Sequence, residues 1–328
     1  MKIQNSYTWN VLFGIGLSSL LLQGCSSHTE TTNKENTQQS QTLTIGFQKS
    51  SLSSIVLQTE QNLLKKEFPQ VNVQWREFPA GPQMLEALSA GAIDIGSVGN
   101  TPPIFAQAGN KNIVYVGYEN VQPQWQAVVV SANSTIQNIE QLKGKKVAVQ
   151  KGSSAHDLLG RVLEKAHLKW SDIQPVWLAP ADARAALDKG SVDAWVIWEP
   201  FLTVAEVEGN ARPIIDGTQF ENTYNFLISR PDFVKNHASE VKSFIQASNE
   251  AAQWIVAHPT ETRSLYQNAI NVNADIAQRV LDKRYKPSLM KPMTNEVIAA
   301  QQQIADRFTT DQVIPQHIDV KQAVWQGQ

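Results

Sequence analysis

Two stretches of this chain, about a hundred residues apart, repeat one pattern. The first runs Phe47-Gln48-Lys49-Ser50-Ser51 and then Ala87-Leu88-Ser89-Ala90-Gly91-Ala92-Ile93-Asp94-Ile95. The second runs Val149-Gln150-Lys151-Gly152-Ser153-Ser154 and then Ala186-Leu187-Asp188-Lys189-Gly190-Ser191-Val192-Asp193-Ala194. Each copy reads as a strand, a polar turn of small residues and a helix, then a later helix stopped by Gly and a second strand. A chain with this repeat is held to two similar α/β lobes. In such lobes ligands bind at the carboxyl ends of the strands, so the two turns face one another across a cleft.

The N-terminal segment stands apart from that repeat. Val11 to Leu22 is an apolar run broken by Gly and Ser, too short for a membrane span and suited to the core of a secretory signal. It ends in Leu22-Gln23-Gly24-Cys25, which resembles the bacterial lipobox; the alternative is an ordinary signal peptide with an incidental thiol. Residues 1–24 are thus expected to be a lipoprotein signal peptide, and residues 25–41 a flexible tether lipid-anchored at Cys25. Ser26 to Gln41 contains no large apolar side chain with which to offset its ordering entropy. Cys25 is the sole cysteine, so no intramolecular disulfide can form. The expected location is exported, lipid-anchored at the cell membrane or its periplasmic face.

About 290 residues follow, with strands and helices alternating until a largely helical C-terminal part. The fold class is α/β, each lobe a mostly parallel sheet flanked by helices. Residues 42–130 and 220–328 are expected to form lobe 1, and residues 131–219 lobe 2, with crossovers near Gln126–Ser131 and Phe220–Ser229. Ser53 to Phe68 and Asp232 to Ala257 each read as one helix. The formal net charge is −2 and Lys and Arg are dispersed, so there is no basic face of the kind that binds nucleic acid.

The strongest chemical signal is anion binding at helix N-termini, whose first N–H groups lack internal partners and carry partial positive charge. Ser153-Ser154-Ala155-His156, Ser50-Ser51 and Asn100-Thr101 all have that form, on the rim that also holds Gln48, Lys49, Trp198 and Glu199. One such turn alone is better read as plain N-capping; three on one rim favour binding. Arg184, near the start of a helix opening at Pro180, offers a fork of donors, and equally an exposed pair with Asp188 four residues on. Of Trp195 and Trp198, one should face the core and the other wall the ligand. Lys49 and Lys151 could be cationic contacts. His156 reads as a helix-surface residue near the cleft.

Catalytic signatures are absent: there is no Gly-x-Ser-x-Gly elbow, Walker loop or paired-histidine metal motif, and the six histidines are scattered. No enzyme activity, cofactor or metal is expected.

Several strings resemble one family in particular. They are Gly46-Phe47-Gln48-Lys49-Ser50, Glu77-Phe78-Pro79-Ala80-Gly81-Pro82-Gln83, Gly99-Asn100-Thr101-Pro102-Pro103-Ile104-Phe105-Ala106, Lys151-Gly152-Ser153-Ser154-Ala155-His156, Pro180-Ala181-Asp182-Ala183-Arg184-Ala185-Ala186 and Gly190-Ser191-Val192-Asp193-Ala194-Trp195-Val196-Ile197-Trp198-Glu199-Pro200. These are similar to the aliphatic sulfonate-binding proteins of ABC importers. The resemblance implies a two-lobe type II periplasmic-binding-protein fold that closes on its ligand, and hand-over to a permease with a paired ATPase. It implies a sulfonate head among Gln48, Asn100, Thr101, Ser153, Ser154 and Arg184, with Trp198 and Glu199 beside it. The family usually carries Asp where this chain has Asn100, so one negative charge near the anion is absent here. A monomer fits a carrier that docks on a transporter. Taurine, a sulfate ester, nitrate or a thiamine-precursor pyrimidine are alternative ligands on the same fold. Enzymes of pyrimidine or menaquinone synthesis, or a receptor subunit for a membrane kinase, are alternatives of another class.

Overall fold

The computed structural model describes residues 42–221, 223–283 and 289–327. The signal segment, Cys25 and the tether lie outside the described residues.

Elements are numbered along the chain. The first run comprises β1 (Thr42–Phe47), α1 (Leu52–Thr59), α2 (Gln61–Glu67), β2 (Asn72–Glu77), α3 (Gly81–Ser89), β3 (Ile95–Val98), α4 (Thr101–Ala108) and β4 (Val114–Asn120). The second comprises β5 (Gln126–Ser131), β6 (Lys146–Val149), α5 (Ser154–Lys165), β7 (Gln174–Trp177), α6 (Pro180–Asp188), β8 (Ala194–Trp198), α7 (Phe201–Glu208) and β9 (Ala211–Asp216). The chain ends with β10 (Tyr224–Ser229), α8 (Pro231–Asn236), α9 (Ala238–Ala257), α10 (Pro259–Ile270), α11 (Ala274–Asp282) and α12 (Asn295–Thr310).

The repeat becomes two five-stranded sheets of the same plan, ordered β2-β1-β3-β10-β4 and β7-β6-β8-β5-β9. In each, the first three strands are parallel. The fourth runs antiparallel to both its neighbours, and it is the strand that has just arrived from the other lobe. This corrects one expected boundary. Gln126–Ser131 pairs with β8 and β9, so it belongs to lobe 2, and the first crossover lies before it, between β4 and β5. The apolar run Ala127–Val130 would suit a buried strand in either sheet, which is why its sequence did not assign it.

The two crossovers run side by side. Val121 donates its N–H to the Thr223 carbonyl at 3.2 Å. Close approach is possible because position 217 is Gly: a Cβ there would stand 2.1 Å from the Pro123 carbonyl oxygen.

Successive residues of β10 point to opposite faces of the first sheet, and the two faces bury different helices. Leu227 joins Ile45, Val56, Phe244 and Val280 under α1, α9 and α11. Phe226 joins Met84, Ile104, Tyr115 and Phe308 under α3, α4 and α12. The helical C-terminal part therefore completes lobe 1. Lobe 2 has its own core around Val128, Val149, Leu159 and Trp195. Within α5 the buried residues Ala155, Leu158, Leu159, Val162 and Leu163 recur at helical spacing and form one stripe against it.

Two helices read as continuous are broken, at Glu60 between α1 and α2 and at His237 between α8 and α9. Neither break carries Gly or Pro, so nothing local marks it.

Candidate ligand cleft

The gap between the lobes encloses about 850 Å³, part of it open to solvent. Lobe 1 lines it with the turns after β1 and β3, including Gln48, Ser51 and Asn100, and lobe 2 with Ser153, Ser154 and Trp198. The ends of β4 and β10 add Glu119, Tyr224 and Asn225, and the first crossover adds Trp125. The lobes touch across this gap. A Cβ on Gly99 would stand 2.8 Å from Ser154 Oγ, so only glycine lets the β3 turn meet the start of α5.

Three helices begin at the cleft, but they are unequal as donors. Ser153 takes extended backbone angles as the N-cap of α5 (φ −90°, ψ 170°), and Ser154 and Ala155 follow it into the first turn. The α1 helix starts after Ser51 with Leu52-Ser53-Ser54. The α4 helix opens Thr101-Pro102-Pro103, so two of its first three residues have no N–H to give. The donor-rich ends are those of α5 and α1. Ser153 Oγ donates to the Gln150 carbonyl at 2.7 Å, which fixes the turn. The Gln126 side chain also faces the cleft, with Oε1 buried and without a hydrogen-bond partner. Among the described residues the lining contains no Lys, Arg or His; its carboxylate, Glu119, accepts from Asn225 Nδ2 at 3.1 Å.

Asn100 is fixed from several sides. Its Nδ2 donates to Asp157 Oδ2 at 2.8 Å, and its Oδ1 accepts from Thr101 Oγ1 at 3.0 Å. Its carbonyl accepts from Gln301 Nε2 at 2.6 Å. Thr101 is fully buried just behind the lining. The carboxylate that meets Asn100 is thus that of Asp157, in α5.

Of the residues singled out from sequence, Gln48, Asn100, Ser153, Ser154 and Trp198 come together at the cleft, while Trp195 packs in the lobe 2 core. Lys49, His156, Arg184 and Glu199 do not line it. Lys49 is half-buried, 3.8 Å from Glu77. Lys151 lies over the Trp177 ring, 5.7 Å from its centroid. Arg184 turns along its own helix to Asp188, with Nε to Oδ2 at 2.8 Å, and packs against Gly209.

His156 is fully buried, not on the helix surface. Its ring centroid is 5.0 Å from Trp170 and 4.9 Å from Trp177 of lobe 2, and 5.6 Å from Phe105 and 5.2 Å from Phe308 of lobe 1. Its Nδ1 accepts from the Gly152 N–H at 3.2 Å. Burial pushes its pKa down to about 3, so the imidazole is neutral.

Glu199 is buried behind Trp198. It accepts from Thr203 N at 3.1 Å, Thr203 Oγ1 at 2.9 Å and Lys283 Nζ at 2.5 Å. Burial raises its pKa, opposed by Lys283 and Thr203.

Trp125, Tyr224 and Asn225 were not read from the sequence as cleft residues. Their signal would have been their position beside the two crossovers, the one place where both lobes must be near.

Two α/β lobes joined by paired crossovers, with helix N-termini converging on the gap between them, define a two-lobed ligand-binding protein. The family profile described as NMT1/THI5 like matches residues 70–262. A protein of Escherichia coli (strain K12) named as an aliphatic sulfonates-binding protein is 42% identical over 284 residues, covering 87% of this chain and 88% of the relative. The crystal structure of the periplasmic aliphatic sulphonate binding protein SsuA from Escherichia coli superposes with a TM-score of 0.80 at 41% identity, covering 87% of this chain and 92% of that one. The alkanesulfonate-binding protein SsuA from Xanthomonas axonopodis pv. citri, bound to MOPS, superposes with a TM-score of 0.83 at 38% identity, covering 87% and 98%. This chain belongs to the NMT1/THI5-like family, in its aliphatic sulfonate-binding branch. These relatives are named as binding proteins. No helix among the described residues is long and apolar enough to cross a membrane.

Proposed function

We propose that this protein captures aliphatic sulfonates in the inter-lobe cleft and delivers them to the membrane permease of an ABC importer for sulfur acquisition. The observation that carries this reading is the convergence of the α1 and α5 N-termini on one cleft, in a chain 42% identical to a relative named for sulfonates. A sulfonate is a monoanion with three acceptor oxygens. Oriented N–H and hydroxyl donors match it without a metal. Gln48, Asn100, Ser153 and Ser154 are the proposed contacts for the head, with Thr101 supporting Asn100 and Trp198 walling the alkyl chain. The protein is exported, as its relatives are, and works as a monomer. Cys25 is the proposed lipid anchor, with residues 25–41 tethering the folded part to the membrane.

The test is growth of the host with hexanesulfonate as sole sulfur source. Deletion of the gene should abolish growth on hexanesulfonate and spare growth on sulfate. Unimpaired growth on hexanesulfonate would contradict the reading. For the anchor, Cys25→Ser should move the protein from the membrane fraction to the soluble one.

A further inference from the structure

Asp157 has no exposed surface and does not line the cleft, yet it collects hydrogen bonds from both lobes. From its own helix Arg161 Nη2 reaches its Oδ2 at 2.9 Å. From lobe 1 come Asn100 Nδ2, at 2.8 Å, and Arg307 Nη2 of α12. The same α12 supplies Gln301, which holds the Asn100 carbonyl. Arg307 extends the set to Glu164 of α5, at 3.9 Å. The charges balance, with two guanidinium groups against two carboxylates, and the buried carboxylate is the point where α4, α5 and α12 meet.

We propose that Asp157 is a positioning residue of the ligand site, holding Asn100 and the start of α4 against the start of α5 across the cleft. The chemistry of the pair is directional. An amide at position 100 can donate to Asp157 while accepting from Thr101. A carboxylate at position 100 would set two negative oxygens 2.8 Å apart where water is excluded, and one of them would have to take a proton. The bond exists only when the lobes have brought α4 and α5 together, so it stabilises the closed arrangement and acts on ligand release more than on capture. The swapped pair, with Asp at 100 and Asn at 157, keeps one donor, one acceptor and the same net charge between the two positions, while Arg161 and Arg307 lose the carboxylate they share at 157.

The inference rests on the sulfonate reading of the cleft, and its test separates the two. Full-length wild type, Asn100→Asp, Asp157→Asn and the double swap N100D/D157N are titrated with hexanesulfonate, and release is followed by stopped flow. Each single variant is expected to bind at least about tenfold more weakly, through faster release, because a buried hydrogen-bonded charge loses its partner. The double swap is expected to bind more tightly than either single variant, though short of wild type because Arg161 and Arg307 keep no carboxylate at 157, a coupling that two independent sites would not show. Single variants that bind like wild type, or a double swap no tighter than the weaker single, would overturn the proposal.

If wild type itself ignores hexanesulfonate, the sulfonate reading fails and small-angle scattering decides the pair. The singles should then be more extended than wild type and the double swap should return toward it; four identical profiles would refute the pairing. Where a single variant does not fold, a folded double swap supports the proposal and an unfolded one overturns it.

Discussion

Lys283 Nζ stands 2.5 Å from Glu199 Oε1, joining the end of the C-terminal α11 helix to the buried end of β8 in the other lobe. Lys283 also lies 3.2 Å from Thr203 Oγ1 and 3.5 Å from Glu206, both in α7, so the lysine ties two helices to one strand end. Behind the cleft wall formed by Trp198, this pair supports the site without touching what the site holds.

Removing one member should therefore cost stability. Lys283→Met leaves a buried carboxylate with only Thr203, and is expected to destabilise the protein by about 3 kcal/mol. Glu199→Gln combined with Lys283→Met should recover most of that loss, since neither charge is then stranded. Urea denaturation of wild type and the two variants measures both effects. Equal loss in the single and double variants would contradict the pairing.

Arg184 should be silent in binding. Its guanidinium is committed to Asp188 at helical spacing and lies outside the cleft lining. Arg184→Ala is expected to leave sulfonate affinity within about twofold and to lower stability by less than about 1 kcal/mol. Calorimetric titration reads the first and thermal unfolding the second. A tenfold loss of affinity would return Arg184 to the site.

How much of this was legible in the sequence follows from how far apart the deciding residues lie. Ser153-Ser154 and Asn100 were found because strand, turn and helix are contiguous in the chain, and a helix start at a strand end is a local fact. His156 was misplaced because its neighbours Phe105 and Phe308 come from distant parts of the chain. Arg184 had its answer, Asp188, four residues away, but geometry alone could choose between that pair and a ligand. The exchange of β5 and β10 between the lobes is a property of topology, and an apolar strand carries no mark of the sheet it will join.

His156 predicts an acid dependence. The folded pKa of about 3 lies below the unfolded value of roughly 6.5. The folded state therefore binds fewer protons between these values, so stability is full above pH 6.5 and is lost as pH falls toward 3. The slope is up to roughly 1.4 kcal/mol per pH unit. Asp157 and Lys151, the two nearby charges, act in opposite directions on it. His156→Gln should flatten the profile between pH 6.5 and 5, above the range where unperturbed carboxylates protonate. Denaturant midpoints across that interval test it, and an unchanged slope would contradict it.

Gly99 should matter to ligand affinity more than to folding. A methyl group there would meet Ser154 Oγ at 2.8 Å and Ser154 Cβ at 2.9 Å, forcing the start of α5 away from the β3 turn. Gly99→Ala is expected to weaken binding at least about tenfold, since the competent closed state becomes less populated. Its melting temperature should fall only slightly. Wild-type affinity in this variant would mean that the lobes need not meet at Gly99.

The central claim is that the cleft selects a sulfonate. The direct measurement is thermal unfolding of the protein with C2 to C8 alkanesulfonates, set against taurine, sulfate, nitrate and a pyrimidine. A ligand that binds only the folded state stabilises it by roughly 2.7 kcal/mol at a hundredfold over its dissociation constant. The account predicts a rise in melting temperature with alkanesulfonates and none with sulfate or the pyrimidine at equal concentration. A rise with the pyrimidine, and none with any sulfonate, would leave the fold standing and contradict the ligand.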